Sequence, residues 1–415
     1  MTIKEIAYAA YQDFLKNWWD GDARTGHITM VDHGFPGDRQ DMLWDHAQAV
    51  FALDSLYCAY GDDEIRDRIL GEWDFVQKNF TFERLVTPAN QPNWAQDDAG
   101  WDAMLSMLFY RYSGDPYALK LAKHLIRNSY EFWKDEDVSN GLLYGHEPKV
   151  PEERGKAMHM PSLMLAAFDY TKASGDDSLL ADTIHIYNWV EKYMLRGGAY
   201  TYTLPDGSEH TGFCDDNLYW FFYNAGRVGK PILVGPQLAV EPYSIEEGRS
   251  AIFLGGTMAM AVLHLRMYGI TKEQQYRDRA LRTLRAVNDS AYVVTRDGVY
   301  VDAGDGWTNS AFLKQWVEEV LTLQEAVQKD FAILENTARS IYENARTEDG
   351  YYSASWSGPA EDSDTPWGRR GWTHDTIMTT ATSIHMITAA AFADTKNTPD
   401  KKPSSARPGR GRFAA

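Results

Sequence analysis

Asp97 and Asp98 are adjacent and sit among indoles, in the run WAQDDAGWDAM, between Trp94 and Trp101. Two carboxylates held close cannot both ionise freely, because each charge raises the cost of the other. One is pushed to stay protonated near neutral pH while its neighbour stays anionic. That split provides an acid with a base, or an acid with a nucleophile, from one residue type. Cleavage of a glycosidic bond by two carboxyl groups needs such a division. The indoles of Trp94 and Trp101 offer flat apolar faces for the C–H side of a sugar ring. The same run also reads as an ordinary helix start, since Asp near a helix N-terminus caps free N–H groups and meets the positive end of the dipole.

Helices must position these residues. Apolar periodicity predicts helices over about 1–19, 40–60, 62–80, 97–113, 115–134, 156–174, 176–195, 246–269, 271–288, 307–327, 329–346 and 372–394. They come in pairs joined by similar turns: AYGDDEIRDRIL, RYSGDPYALKLA, KASGDDSLLADT and RMYGITKEQQYR. In each, a helix is expected to end at Gly, which takes the left-handed conformation, and an Asp or Thr caps the next. The recurrence, every 50–60 residues or so, is a helical-hairpin repeat. Six hairpins can form an open solenoid or close into a ring. Closure removes exposed ends and gathers loops around a central funnel, so the expected fold is all-α, an (α/α)6 barrel. Residues 196–245 and 347–371 interrupt the pattern as long funnel-side loops, the first with room for short strands. The expected organisation is one domain over 1–394 and a Pro-, Lys- and Arg-rich tail over 395–415, whose composition cannot bury a core.

A net charge of -18 argues against nucleic-acid binding, which needs a basic footprint. The 14 Trp and 24 Tyr combine apolar faces with hydrogen-bonding tips, as carbohydrate clefts do, although most must be core. Two cysteines, Cys58 and Cys214, make no disulfide framework; Cys58 reads as packing. No motif calls for a metal or another cofactor. No apolar run spans a membrane. The start MTIKEIAYAAYQDFLKNWW is an amphipathic helix and no signal peptide, which implies a cytoplasmic protein, or a secreted one if a leader preceded this start.

At WAQDDAGWDAMLSMLFYRYSGDPYALKLA the chain resembles glycoside hydrolase family 76, the endo-α-1,6-mannanases. The matching residues are Asp97, Asp98 and Trp101, the turn Ser113-Gly114-Asp115, and Tyr117. GKAMHMPSLMLAAFDYTKASGD is similar to the family's next hairpin, with Lys156 at its basic position. DGWTNSAFLKQWVEEV is similar to its Phe-Lys-Gly-Ile-Phe segment, and YYSASWSGP to its C-terminal Trp-Ser-Gly-Pro turn. The resemblance covers most of 40–394. It implies retaining hydrolysis of α-mannosidic linkages inside an (α/α)6 barrel, with Asp97 as nucleophile and Asp98 as acid, then base. Retaining enzymes hold their carboxyls about 5–5.5 Å apart. Neighbours at a helix entrance can reach that, whereas mid-helix they point about 100° apart. Two departures stand out. Ser244-Ile245-Glu246-Glu247-Gly248 replaces the family's Thr-Tyr-Asn-Gln-Gly, and Asp102 follows Trp101 where the family commonly has a second Trp.

The resemblance places Glu246 and Glu247 at the funnel, where they line the site or merely complement a helix dipole. His159 and His374 begin helices near funnel loops, as ligand contacts or as local hydrogen-bonding residues. Trp356 is a sugar platform or a plug in the barrel wall. Asp216, beside Asp215, is a substrate contact or plain turn chemistry. Of Trp44, Asp45 and His46, at most part can face inward. Met158, Met160 and Met164 read as core. The expected partner is an oligo- or polysaccharide, α-mannan by the resemblance, bound by a monomer with no nucleic acid and no membrane. Two other functions stay open: a sugar epimerase using His and Glu on the same barrel, or a family-76-like protein recruited as transglycosylase, glycan-binding pseudoenzyme or biosynthetic enzyme.

Overall fold

A computed structural model describes residues 1–29, 44–79, 96–132, 134–135, 142–143, 160–203, 209–219, 254–290, 293–300, 311–353, 356–358 and 377–397. Twelve helices lie among them. They are α1 (Ile3–Trp18), α2 (Trp44–Tyr60), α3 (Asp63–Asn79), α4 (Gln96–Ser113), α5 (Pro116–Phe132), α6 (Met160–Ser174) and α7 (Leu180–Tyr193). Then come α8 (Leu254–Thr271), α9 (Gln274–Asp289), α10, α11 (Gln328–Asn344) and α12 (Ile377–Asn397). α10 is short: one α-turn, Leu313–Gln315, runs into a π-turn, Trp316–Val320.

The even-numbered helices form a closed inner ring. α2 packs on α4, α4 on α6, α6 on α8, α8 on α10, α10 on α12, and α12 on α2. The odd-numbered helices lie outside, and α1 seals the seam against α11 and α12. The ring is closed, so the chain is an (α/α)6 barrel and not an open solenoid. The two rings differ as burial requires. Inner helices such as α8 are buried nearly all round, with Leu254–His264 inaccessible, whereas outer helices such as α5 and α9 bury one stripe.

The turns from inner to outer helices share one geometry. Gly61, Gly114 and Gly175 take φ of +69°, +68° and +73°. The next residue's carboxylate, in Asp62, Asp115 and Asp176, accepts the N–H two positions on. The fourth turn departs from expectation. α8 continues through Gly269, and Lys272 holds the left-handed position at φ +61°. Thr271 there plays the part of Ser113 and Ser174: each hydroxyl donates back one turn and accepts the N–H two residues on. A Cβ in the left-handed region costs about 1 kcal/mol. Lys272→Gly is therefore expected to raise the urea midpoint. Gly269→Ala should do the same by about 0.5–1 kcal/mol, since nothing lies within 4 Å of an added Cβ.

A second recurrence lies at the opposite end. After α1, α5 and α7 the chain turns back in the antiparallel pairs β1 (Trp19–Asp20) with β2 (His27–Ile28), β3 (Lys134–Asp135) with β4 (Leu142–Leu143), and β5 (Leu195–Thr203) with β6 (Glu209–Tyr219). After α9 and α11 the single bridges Val294–Tyr300 and Arg346–Tyr352 do the same. The sequence hinted at strands only near β5 and β6. The shared device in the last two is Thr-x-Asp-Gly, with Gly298 and Gly350 at φ +73° and +85°.

Candidate active site

The two ends of the barrel are unequal. Inner-to-outer connections are two to seven residues long, whereas outer-to-inner connections run from 16 to 60. Every inner helix therefore begins at the loop-bearing end. Asp97 and Asp98 are the second and third residues of α4, in its first turn at that end.

α4 and α10 face each other across the ring. Trp101 spans the gap, its ring 5.1 Å from that of Phe312 and tilted by 49°. Trp101 thus marks the lumen-facing side of α4. Position 97 lies one turn above it on the same face, and position 98 is rotated about 100° towards α2. Asp98 is half-buried. Trp101 is only 1% exposed, and Phe312 is fully buried, so Trp101 is the floor under the aspartates and not an open sugar platform. Trp356, also 1% exposed, is likewise a plug. Large indoles go where they exclude most water, and a closed ring provides that place on its axis.

α4 and α6 come unusually close beside the aspartates. A Cβ on Gly100 would sit 1.9 Å from Ser162 Oγ and 2.8 Å from its Cβ. Gly100→Ala must push the two first turns apart, which costs about 1–3 kcal/mol. Ser162→Gly should restore much of the lost urea stability and activity, because the nearest remaining atom is the Leu163 nitrogen at 3.1 Å.

Below the aromatic floor lies a layer of charge that the sequence reading missed. Asp54 of α2 accepts Arg111 at 2.5 Å and the Tyr112 hydroxyl at 2.6 Å, both from α4, and meets Lys314 of α10 at 3.4 Å. Lys314 also reaches Glu318 at 2.8 Å. On the other side Arg266 of α8 joins Asp169 of α6 at 2.8 Å and Glu319 of α10 at 2.6 Å. The π-turn carries Glu318 and Glu319, one for each half of the layer. Burial raises the Asp54 pKa, but the Arg111 and Lys314 charges and the Tyr112 hydroxyl outweigh it and hold the group below its ordinary value. The available signal was a lone charge inside an apolar run, as in VFALDSLY, AAFDYT, LHLRMY and AFLKQWV. Cys58, read as packing, is instead exposed, with its thiol 3.9 Å from Asp54.

Glu319 behaves differently. Burial pushes it up to about 7, helped by Asp169 and Glu318 and opposed by Arg266. A carboxyl whose folded pKa is raised adds stability below its unfolded value, near 4.5, and loses it as pH climbs through 7. Glu319→Gln should flatten the decline in urea midpoint between pH 4.5 and 7.5.

Other candidates have local roles. Asp216 is engaged inside its hairpin by Arg196, at 2.9 and 3.2 Å, and by the Leu218 N–H at 3.1 Å. His46 is buried between α2 and α3, bonded through Nδ1 to Glu72, whose other oxygen accepts the Ile28 N–H at 2.9 Å. Met160 and Met164 are core, as expected. Trp94, Lys156, His159, Glu246, Glu247 and His374 lie outside the described residues, as do Met158 and the side chain of Asp97. Among the described residues no group of three or more His, Cys, Asp or Glu could hold a metal. None of the described helices is long and apolar enough to cross a membrane.

No protein-family profile matches the sequence. No curated protein matches it either. Solved structures do match. The α-1,6-mannanase of family 76 from Salegentibacter sp. HEL1_6 is 15% identical with a TM-score of 0.64, over 94% of this chain and 100% of that one. An inactive variant of that enzyme, with two consecutive aspartates replaced, is in complex with α-1,6-mannotetrose; it aligns at 14% identity and a TM-score of 0.65, over 95% and 100%. Dfg5 from Chaetomium thermophilum, in complex with glucosamine, is 13% identical with a TM-score of 0.62, over 95% and 90%. Over nearly its whole length the chain has the helical double ring of the family 76 glycoside hydrolases.

Proposed function

We propose that this protein is a retaining glycoside hydrolase that cleaves α-mannosidic, α-1,6, linkages. The Asp97 carboxylate attacks the anomeric carbon, forming a glycosyl ester as the glycosidic bond breaks. Asp98 gives its proton to the departing oxygen. It then takes a proton from water, which attacks the same carbon and frees Asp97. The substrate lies in the mouth among the long loops, because the lumen is filled one helical turn below.

One observation carries the reading. The aspartate pair opens an inner helix at the loop-bearing end, with position 97 on the lumen face above the Trp101–Phe312 floor. The fold likeness supports it, since in one similar enzyme replacement of two consecutive aspartates gave an inactive variant in complex with an α-1,6-mannooligosaccharide. The test is a screen of α-1,6-mannan, other α-mannans and galactomannan with product sizing, and NMR of the first-formed anomer. Release of α-anomers from α-1,6-mannan is expected. β-Anomers first, or proton exchange at carbon of free sugars in heavy water without hydrolysis, would overturn it.

A further inference from the structure

The chain turns back in an antiparallel joint after α1, α5, α7, α9 and α11, and one of these joints is enlarged. β1–β2 and β3–β4 are two residue pairs each. The joint after α7 continues past its root for seven consecutive pairs, from Gly197–Asp215 to Thr203–Glu209. At about 3.3 Å per residue that adds roughly 20 Å of hairpin, starting from the loop-bearing end of an outer helix. In repeat folds such insertions gather on one face, commonly the binding face.

The root of the hairpin is bent and gripped. Between the pairs Leu195–Tyr219 and Gly197–Asp215, Arg196 alone opposes Asp216, Asn217 and Leu218. Extra residues on one strand bend a hairpin and re-aim it. Asn217 holds the left-handed conformation at φ +58°, and its side-chain oxygen accepts Arg279 Nη1 of α9 at 2.9 Å. Arg279 Nε donates to Glu191 of α7 at 3.1 Å. The Tyr219 hydroxyl donates to the other Glu191 oxygen, so it accepts from His264 Nε2 of α8, 3.0 Å away. His264 Nδ1 then accepts the Tyr187 hydroxyl at 2.7 Å. Three helices thus hold the bend through directional bonds. A connection that only had to cross from α7 to α8 needs neither the bend nor the length.

Register sorts the positions beyond the root. Gly198, Tyr200, Tyr202, His210, Gly212 and Cys214 share one face of the hairpin; Thr201 and Thr211 share the other. Two tyrosines two positions apart, bordered by glycines, are a residue pattern suited to the C–H side of sugar rings.

We propose that the β5–β6 hairpin is a specificity element, aimed by its bulged root so that the face bearing Tyr200 and Tyr202 holds sugar units of a mannan chain away from the cleaved bond. This rests on the hydrolase reading given above. The test is the preference for a long chain, taken as kcat/KM on α-1,6-mannohexaose over that on α-1,6-mannotriose. Tyr200→Ala combined with Tyr202→Ala should lower this ratio about tenfold. Thr201→Ala combined with Thr211→Ala, on the other face, should leave it unmoved. Replacing residues 200–212 by Asn-Gly, which closes the shortened strands with a two-residue turn, should lower the ratio as far as the tyrosine changes do. Tyr219→Phe, which loosens the root, should lower it in the full-length chain and not in the shortened one. A role in folding alone would lower activity on both substrates alike. An unchanged ratio in the folded tyrosine double variant would overturn the proposal, and so would an equal fall in the threonine variant. If wild type cleaves no α-mannoside, the hydrolase reading fails, and the same ratio of calorimetric binding constants decides the role of the hairpin; binding of neither chain would overturn both.

Discussion

Asp97→Asn is expected to lower turnover on α-1,6-mannan by about four orders of magnitude or more, with little change in urea midpoint. Asn has the shape of Asp but cannot supply an anionic oxygen to the anomeric carbon. Position 97 is in the first turn of α4 at the loop-bearing end, and Asn keeps the volume of Asp there, so the fold should be little disturbed. Asp98→Asn should cost about 10²–10⁴-fold on mannan, the usual worth of a positioned acid. It should cost far less on an aryl glycoside in the first step. The two variants therefore separate nucleophile from acid by their response to the leaving group. Full activity in Asp97→Asn would end the assignment.

Asp54→Asn should instead destabilise the fold by about 3 kcal/mol, because removing one partner of a buried ion pair leaves the other uncompensated. Asp54 is 2% exposed and is the shared acceptor of Arg111, Lys314 and Tyr112. Three inner helices meet at that group. Urea unfolding of Asp54→Asn, Lys314→Met and the double variant would measure the coupling. A double variant more stable than Asp54→Asn alone is expected, since it leaves no orphaned ammonium. Additive losses would show that the layer is not a coupled unit.

The sequence was explicit wherever the physics is local. Helix periodicity, the Gly-Asp turns and the hairpin repeat placed all twelve helices. They did so because a turn depends on a few neighbouring residues. The turn after α8 misled for the same reason. Gly269 is the obvious helix stop, yet the Thr271 hydroxyl, which donates back to Met267 and accepts the Glu273 N–H, reproduces the turn with a lysine in the left-handed position. The site was partly legible: a pair of acids among indoles pointed to the chemistry proposed for the mouth of the barrel. Trp101 was read as a sugar face and Trp356 as either a platform or a plug; both are buried, and sequence could not show it, because burial depends on what the opposite wall contributes, and Phe312 lies 211 residues from Trp101.

By itself, then, the chain determined its helices, their pairing and the kind of group that opens α4. The tertiary structure decided that the ring closes, which end carries the loops, that an aromatic floor sits one turn under the aspartates, and that charge from five inner helices fills the base. Those are contacts between residues far apart in sequence. Their geometry is fixed only when six hairpins share one axis, so no local pattern records them.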